Sequence, residues 1–399
     1  MAADTSYRAL FRTPEFTALF VSSSASITAQ TVSGLALGTL VFRATNSPLL
    51  SAVSMFGPSL AQVVGATFFL SGADRLPPRT TLAGVSLAFA VTTALLAAPG
   101  LPVWGVFAVI LVQGLIASLS GGVRWGLLNE ILPKKGYLTG RSVFNMMAGL
   151  LQIAGFAAGG LLVALLSPRT TLLVAACLYA AAALLALRLT HRPPRATGRP
   201  SVAATRRANA ALWSSRPRRH LYLALWLPNG LVVGCESLYV SYEPRAAGTL
   251  FAGAALGMFT GDVLVGRLLP PRLRPHLGIP LLVLLAAPYL VFFLRPPLPV
   301  ATVLVAVASI GFGASLVQQE RLVDLTPDDL TGHALGLHSA GMLTMQGVAA
   351  ALAGTVAQLT SPATAMTVMG ACSLAVTLAL TATSRRTTPG GGLLPVRAT

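Results

Sequence analysis

"RLPPR", Arg75 to Arg79, returns 192 residues later as "RLLPPR", Arg267 to Arg272. In both places prolines and arginines interrupt a long apolar run. Proline has no backbone N–H and stops a helix. Arginine seeks water at the edge of an apolar phase. Each copy therefore marks a short polar corner between two apolar helices. Other landmarks repeat at nearly the same interval. Pro133 and Pro327, Ser167-Pro168 and Ser361-Pro362, Gln152 and Gln346, and Gly160 and Gly354 are each 194 residues apart. One shared Ser-Pro is chance; several matches in one register are a duplication.

Composition sets the surroundings of the duplicated unit. Of 399 residues, 54% are hydrophobic and 10% charged, and the mean hydropathy is +0.73. A soluble domain carries roughly 25% charged residues, so a soluble chain this apolar lacks the polar residues to cover its surface. The apolar runs reach about 20 residues, enough to cross roughly 30 Å of hydrocarbon at about 1.5 Å per residue. The expected fold is an all-α polytopic membrane protein with twelve transmembrane helices in two parallel six-helix repeats. The spans are predicted near residues 16–41, 49–72, 80–98, 103–130, 141–166, 169–190, 220–242, 246–268, 277–294, 298–324, 332–359 and 363–383. Residues 1–190 form an N-terminal half, 191–219 a polar cytoplasmic linker loop, 220–384 a C-terminal half and 385–399 a tail.

The net charge of +17 lies between the spans rather than on one folded face, which argues against nucleic acid. With the N-terminus inside, 22 of the 28 lysines and arginines fall in inner segments, and only Arg43, Arg169, Arg245 and Arg295 in outer loops. By the positive-inside rule both termini are expected in the cytoplasm. The preference for arginine over lysine suits a high-GC bacterial genome, hence a bacterial cytoplasmic membrane. The first apolar segment is too long for a cleavable signal and continues into further spans. Cys177, Cys235 and Cys372 sit in apolar segments, with neither disulfide nor metal spacing. No phosphate-cradling loop and no metal-ligand set is evident, so neither cofactor nor metal is expected. Nothing in the sequence signals an oligomer, and a monomer is the expectation.

"GADRLPPR", Gly72 to Arg79, resembles the signature of the major facilitator superfamily between spans two and three. Asp74 and Arg75 match its acidic and basic positions and Arg79 a later basic one; Pro77 stands where glycine is usual. "GFAAGG", Gly155 to Gly160, resembles the family's antiporter motif in span five: Gly155, Gly159 and Gly160 match, and Phe156 replaces proline. "FRATNSPLLSA" and "VRWGLLNEILP" look like the drug-efflux branch that includes macrolide and siderophore exporters. An arginine common earlier in span four is replaced by Ile110. The resemblance implies two halves that rock about a central path. It also implies a loop latch, for which Asp74 with Arg75 or Arg79 is the candidate, and Asp262 with Arg267 in the second half. Loop anchoring alone is the alternative. The repeat pattern fits this picture, since parallel repeats are one way such proteins are built.

Ionisable groups at membrane depth are costly and face a bundle interior or water. Glu236 lies about 15 residues into span seven. Tyr222, Asn229 and Glu243 stand at heptad steps from it, so the four form one slowly drifting polar stripe. Such a stripe is expected to line a cavity. Span one has a weaker stripe, Ser22, Ser26, Gln30 and Ser33. Desolvation disfavours the charged carboxyl, so Glu236 can be neutral in one state and ionised in another. The alternative is a neutral carboxyl in an interhelical hydrogen bond. Glu243 reads as a solvated helix end, and Asp262 is divided between latch and coupling. Arg124, Glu130, Glu320, Arg321 and Asp324 cluster at the inner ends of spans four and ten, either as snorkelling helix ends or as an inner gate of ion pairs between the halves. Asn145, Met146, Gln152, His338, Met342, Met345 and Gln346 on spans five and eleven read as packing or as an adaptable ligand wall.

The combined expectation is no enzyme but a secondary transporter that exports small hydrophobic molecules in exchange for protons. The alternatives are an uptake symporter of a small solute, a non-transporting sensor, or a lipid-handling protein.

Overall fold

A computed structural model describes residues 10–73, 77–132, 134–193, 202–270, 272–327 and 330–386. Within them the chain is helical and has no strand. The helices are α1 (Pro14–Thr45), α2 (Pro48–Ala73), α3 (Pro78–Leu96), α4 (Val103–Ile131), α5 (Lys134–Leu165), α6 (Pro168–Ala186), α7 (Val202–Ser214), α8 (Arg216–Glu236), α9 (Tyr239–Tyr242), α10 (Ala247–Val263), α11 (Arg274–Ala286), α12 (Leu298–Ile310), α13 (Ala314–Asp324), α14 (Thr331–Leu359) and α15 (Pro362–Arg386). Among the described residues eleven helices are long and apolar enough to cross a membrane, and α4 carries a shorter apolar run, Val103–Ser118. The chain is thus a multi-pass membrane protein by length and composition.

Local chemistry sets the helix ends. Proline suits a first turn, where its missing N–H has no partner to lose, and it opens α1, α3, α6 and α15. The repeated Ser-Pro is a repeated N-cap. Ser167 Oγ accepts from the Thr170 N–H at 3.0 Å, and Ser361 Oγ accepts from the Thr364 N–H at 3.2 Å. In each cap the serine and threonine hydroxyls also meet at 2.9 Å. Asn46 ends α1 with φ of 49°, a left-handed turn that asparagine tolerates.

Helix pairing follows the same plan on both sides of the linker. In the first group α1 packs on α5 and α6, α2 on α4, and α3 on α6. In the second, α8 packs on α14 and α15, and α10 on α12; a 3-10 segment, Ala287–Leu294, packs on α15. The groups meet along two seams, α2 against α14 and α5 against α10. The bundle end bearing Leu10 and Arg386 is called here the near end, and the end bearing Thr45, Leu165, Glu243 and Leu359 the far end.

Four features depart from the simple plan. The linker, expected as a loop across 191–219, holds α7. Its sequence from Val202 to Ser214 is rich in alanine and free of proline and glycine, so nothing stops a helix. The next helix, α8, starts at Arg216 rather than 220 and breaks after Glu236. The near end of α10 widens into a π-helical turn, Leu264–Leu268. There the Arg274 guanidinium donates to the carbonyls of Gly266 and Leu269 at 3.1 and 3.3 Å. The 3-10 segment follows α11 because Pro288 cannot donate into the α-helical ladder.

Candidate functional site

The α8 stripe is built from residues two turns apart, but it does not line an open path. Tyr222, Asn229 and Glu236 are all buried. The Tyr222 hydroxyl donates to the Ala334 carbonyl of α14 at 3.3 Å. Asn229 Nδ2 donates to the Leu225 carbonyl one turn back at 2.6 Å, while its Oδ1 has no donor. Three of the four stripe residues are thus buried in this conformation, and Glu243 is partly exposed. The cause is packing on the same helix. Gly230 and Gly234 let α8 press against Met345, Ala349 and Met369, which closes the neighbouring polar positions off from solvent.

Glu236 sits at the last residue of α8, just before the break. It is 8% exposed, and its Oε1 meets no hydrogen-bond donor. The surroundings are apolar apart from three groups. Cys235 donates to the Met366 carbonyl at 3.3 Å. The hydroxyls of Tyr239 and Tyr289 lie 2.6 Å apart, close enough to Glu236 to feel its charge. Among the described residues Glu236 forms no ion pair. Glu243 lies past α9 and is half-buried at the far end.

The span-one stripe separates into two kinds of residue. Ser22 Oγ donates to the Ala182 carbonyl of α6 at 2.9 Å, and Ser33 Oγ to the Gln30 carbonyl at 3.1 Å. Both serve the packing of α1. Ser26 is half-buried, and the Gln30 side chain is exposed.

The two helix groups touch backbone to backbone at the far end. Gly160 on α5 meets Gly248 on α10, and Gly354 on α14 meets Leu49 on α2. The Ser47 hydroxyl donates to Gln358 Oε1 at 2.8 Å across the other seam. Gly155 and Gly159 lie against Thr31 and Val32 of α1, so this glycine run serves two different neighbours. Phe156 stacks on Phe251 of α10, ring centroids 4.6 Å apart and 17° from parallel. Gln152 is exposed, and His338 Nδ1 is buried without a partner.

At the near end the described charges pair within each group. Arg192 bridges Glu15 at 2.6 Å and Glu130 at 3.3 Å. Arg274 pairs with Glu320 at 2.8 Å. The gate expected between Arg124 and Glu320 is not formed here; Arg124 is half-buried, and its Nε has no acceptor. The reason is where the competing guanidinium groups are placed in space. Arg192 and Arg274 stand at the ends of neighbouring helices, so they reach these carboxylates without crossing the seam. Arg321 and Asp324 line a cleft of about 380 Å³ with His220, Arg274 and Gln318, all within the second group. Of the latch, Asp74 and Arg75 lie outside the described residues. Arg79 stands in the first turn of α3. Arg267 reaches across the α5–α10 seam and donates to Met146 Sδ at 3.0 Å; Asp262 is exposed.

Several participants escape the sequence reading. Arg192 and Arg274 count there only as inner-loop charges. Tyr239 is three residues beyond Glu236, a local signal. Its partner Tyr289 is 50 residues away and carries none. Trp213 of the linker helix stacks on Tyr222 and Trp226 of α8, at 5.9 and 5.7 Å. Among the described residues no group of three histidines, cysteines or acids could hold a metal ion.

The model of the Major Facilitator Superfamily matches residues 19–320. No curated protein matches the sequence. Among solved structures the chain is similar to a POT family transporter in complex with a thioalcohol-conjugated peptide: TM-score 0.73, 11% identity, 94% of this chain and 96% of that one. It is also similar to the nucleoside transporter NupG: TM-score 0.69, 17% identity, 92% and 99%. A third is a bacterial homologue of the human lysosomal transporter Spinster, in an inward-facing and unoccupied conformation: TM-score 0.67, 14% identity, 94% and 96%. At such identities the likeness is one of fold.

Proposed function

The chain belongs to the major facilitator superfamily, and from that premise we propose that it exports small hydrophobic molecules from the bacterial cytoplasm in exchange for protons. Two six-helix halves, residues 1–190 and 220–384, rock about the two seams. The matching helix pairings in the two groups support that division. The arginine bias puts the near end, with both termini, in the cytoplasm. On that orientation the glycine contacts close the outer side, and this conformation faces inward.

One observation carries the coupling. Glu236 is a buried carboxyl at a helix break, with an oxygen that no protein donor reaches. An ionised carboxylate in that position is expensive, and an inserted proton removes the cost. Conversely, an ionised carboxylate is stable only where an open path hydrates it, so a proton taken from the outer side lets that side close over the carboxyl and carries the proton inward. Proton binding and release thereby follow the two conformations, which is the requirement for coupling. Near the inner side Glu130 and Glu320 are held by Arg192 and Arg274 in this state. In the outward state they, with Asp324, are free to meet Arg124 and Arg321 across the path as the inner gate. Asp74, Arg75, Arg79, Asp262 and Arg267 form the loop latches that bias the same exchange. Phe156 and the exposed methionine Met146 on the α5 seam suit a path that tolerates varied apolar cargo.

The test is efflux of a panel of dyes and antibiotics from pump-deficient cells making the protein or its Glu236→Gln variant at equal level. Export that needs the proton gradient and is lost in the variant supports the proposal. Accumulation instead of export makes the protein an uptake symporter, and binding without flux makes it a sensor.

A further inference from the structure

The second group contains two hydroxyls whose bonding is incomplete in a way that complements Glu236. Tyr239 and Tyr289 are fully buried, and their hydroxyls make one bond, to each other, at 2.6 Å. A phenol can both donate and accept. In a hydroxyl pair only one proton lies between the oxygens, so the other has no acceptor. One helical turn before Tyr239 is Glu236, whose Oε1 has no donor. A spare donor on the tyrosine pair and a spare acceptor three residues away along the chain are therefore both buried. In the other direction lies a far-end crevice of about 390 Å³, lined by Ser241, Tyr242, Glu243, Arg295 and Ser361. Glu243 is seven residues from Glu236, or roughly 10 Å along the axis. Tyr289 is one ring removed from a wall of that crevice: its ring stacks on Phe292 at 5.5 Å, and Phe292 meets the crevice residue Tyr242 edge-on at 5.3 Å.

We propose that the Tyr239–Tyr289 pair conducts protons between the far-end crevice and Glu236, while the path between the halves is closed at that end. This rests on the reading of Glu236 as the proton-binding site. When Glu236 is ionised, its side chain turns toward the pair and takes the proton of the nearer hydroxyl. That oxygen takes the proton of its partner, and the partner's oxygen takes one from water in the crevice. Each O–H bond that forms is matched by one that breaks, and the net movement is one proton. The charged and titratable groups around the route are Cys235 and Glu243 on its own stretch of chain, Arg295 beyond the 3-10 segment, and Cys372 on α15. Cys235 is held by the Met366 carbonyl, and Glu243 and Arg295 stand at the crevice rather than beside the pair. Tyr242 is not a member, because its hydroxyl donates to the Pro296 carbonyl at 3.0 Å.

The experiment uses the full chain in vesicles oriented with the far end outside. A pH jump is applied outside only, and the infrared C=O band of the protonated carboxyl is followed in time. The band lost in Glu236→Gln belongs to Glu236. The expected result is a band that rises at low pH, with a rate at least about tenfold slower in Tyr239→Phe and in Tyr289→Phe and an unchanged final amplitude. Tyr242→Phe should match the unaltered protein. Phenylalanine keeps each ring contact, and unchanged melting of either variant suffices for the comparison. A band that titrates with the same rate in both tyrosine variants overturns the relay alone. If no titrating band disappears in Glu236→Gln, the coupling role of Glu236 falls first, and the relay with it.

Discussion

Gly160 and Gly248 face each other across the α5–α10 seam so closely that a Cβ on Gly160 would lie 2.7 Å from the Gly248 Cα. The obstacle is backbone, which cannot swing aside as a long side chain can. Small residues at such crossings allow helices to touch. Gly160→Ala should therefore prevent full far-end closure and cut transport by about tenfold or more at normal expression. Labelling of a cysteine introduced by Ser361→Cys, from outside intact cells, should rise in the same variant. Unchanged transport and labelling would show that the seam is not part of the moving contact.

Glu236 should be replaceable for stability but not for coupling. Removing a buried acceptor that has no donor relieves a penalty of roughly 1–3 kcal/mol. Glu236→Leu should melt at the same temperature as the unaltered protein or higher, while proton-driven transport is lost. A large drop in melting temperature would mean that the carboxyl serves the fold.

Arg192 holds two carboxylates at once, Glu15 and Glu130, and is 28% exposed. Partly exposed ion pairs contribute about 0.2–1 kcal/mol each. Arg192→Ala should cost on the order of 1 kcal/mol, measured by thermal melting at low salt and shrinking at high salt. A double-mutant cycle with Glu15→Gln should return most of that loss as coupling, since the Glu15 contact is the shorter.

The near-end gate predicts an exchange of partners. Arg124→Glu should impair transport, and adding Glu320→Arg should restore it at least in part. A cysteine pair made by Arg124→Cys and Glu320→Cys should crosslink only when the protein is trapped with its far end open. Crosslinking in every state, or no rescue by any acidic partner, would sink the gate.

Trp226 ties α8 to its surroundings through a mutually stacked cluster with Trp213 of α7 and Tyr222 and an Nε1 bond to the His338 carbonyl at 3.1 Å. Gly341 of α14 lies directly against the indole. Trp226→Ala should lower stability by roughly 3 kcal/mol, at the low end of tryptophan truncations because the ring is only half-buried. Trp226→Phe should retain most of it. Comparable losses in both would place the stabilisation in the hydrogen bond rather than in the ring.

The spans were legible because hydrophobic length is a local property. A run of about 20 apolar residues bounded by proline has one stable form in lipid, in which every backbone group bonds within the helix. Hence the candidate spans Ala247–Leu268, His276–Leu294, Leu298–Asp324, His333–Leu359 and Pro362–Thr383 fall within a residue of those read from the chain. The recurring Ser-Pro was legible too, and it proves to be the same N-cap twice. The linker helix is hidden in the sequence because arginine-rich polar composition reads as loop, although its alanines favour a helix. At the site, heptad spacing puts Tyr222, Asn229 and Glu236 at matching register positions of α8, but spacing carries no information about what covers them.

The sequence by itself determined the membrane spans, their caps, the recurring Ser-Pro and the presence of one carboxyl deep in span seven. These follow from composition and from contacts within a turn or two of the chain. Only the tertiary structure decided which groups surround that carboxyl, because Tyr289 comes from 50 residues away. It also decided that Arg192 and Arg274, not the opposite half, hold the near-end acids in this conformation. Burial and ion pairing depend on the order in which helices pack. In a bundle of similar apolar helices that order is set by a few glycine contacts and long-range polar bonds, which leave no periodic trace in the chain.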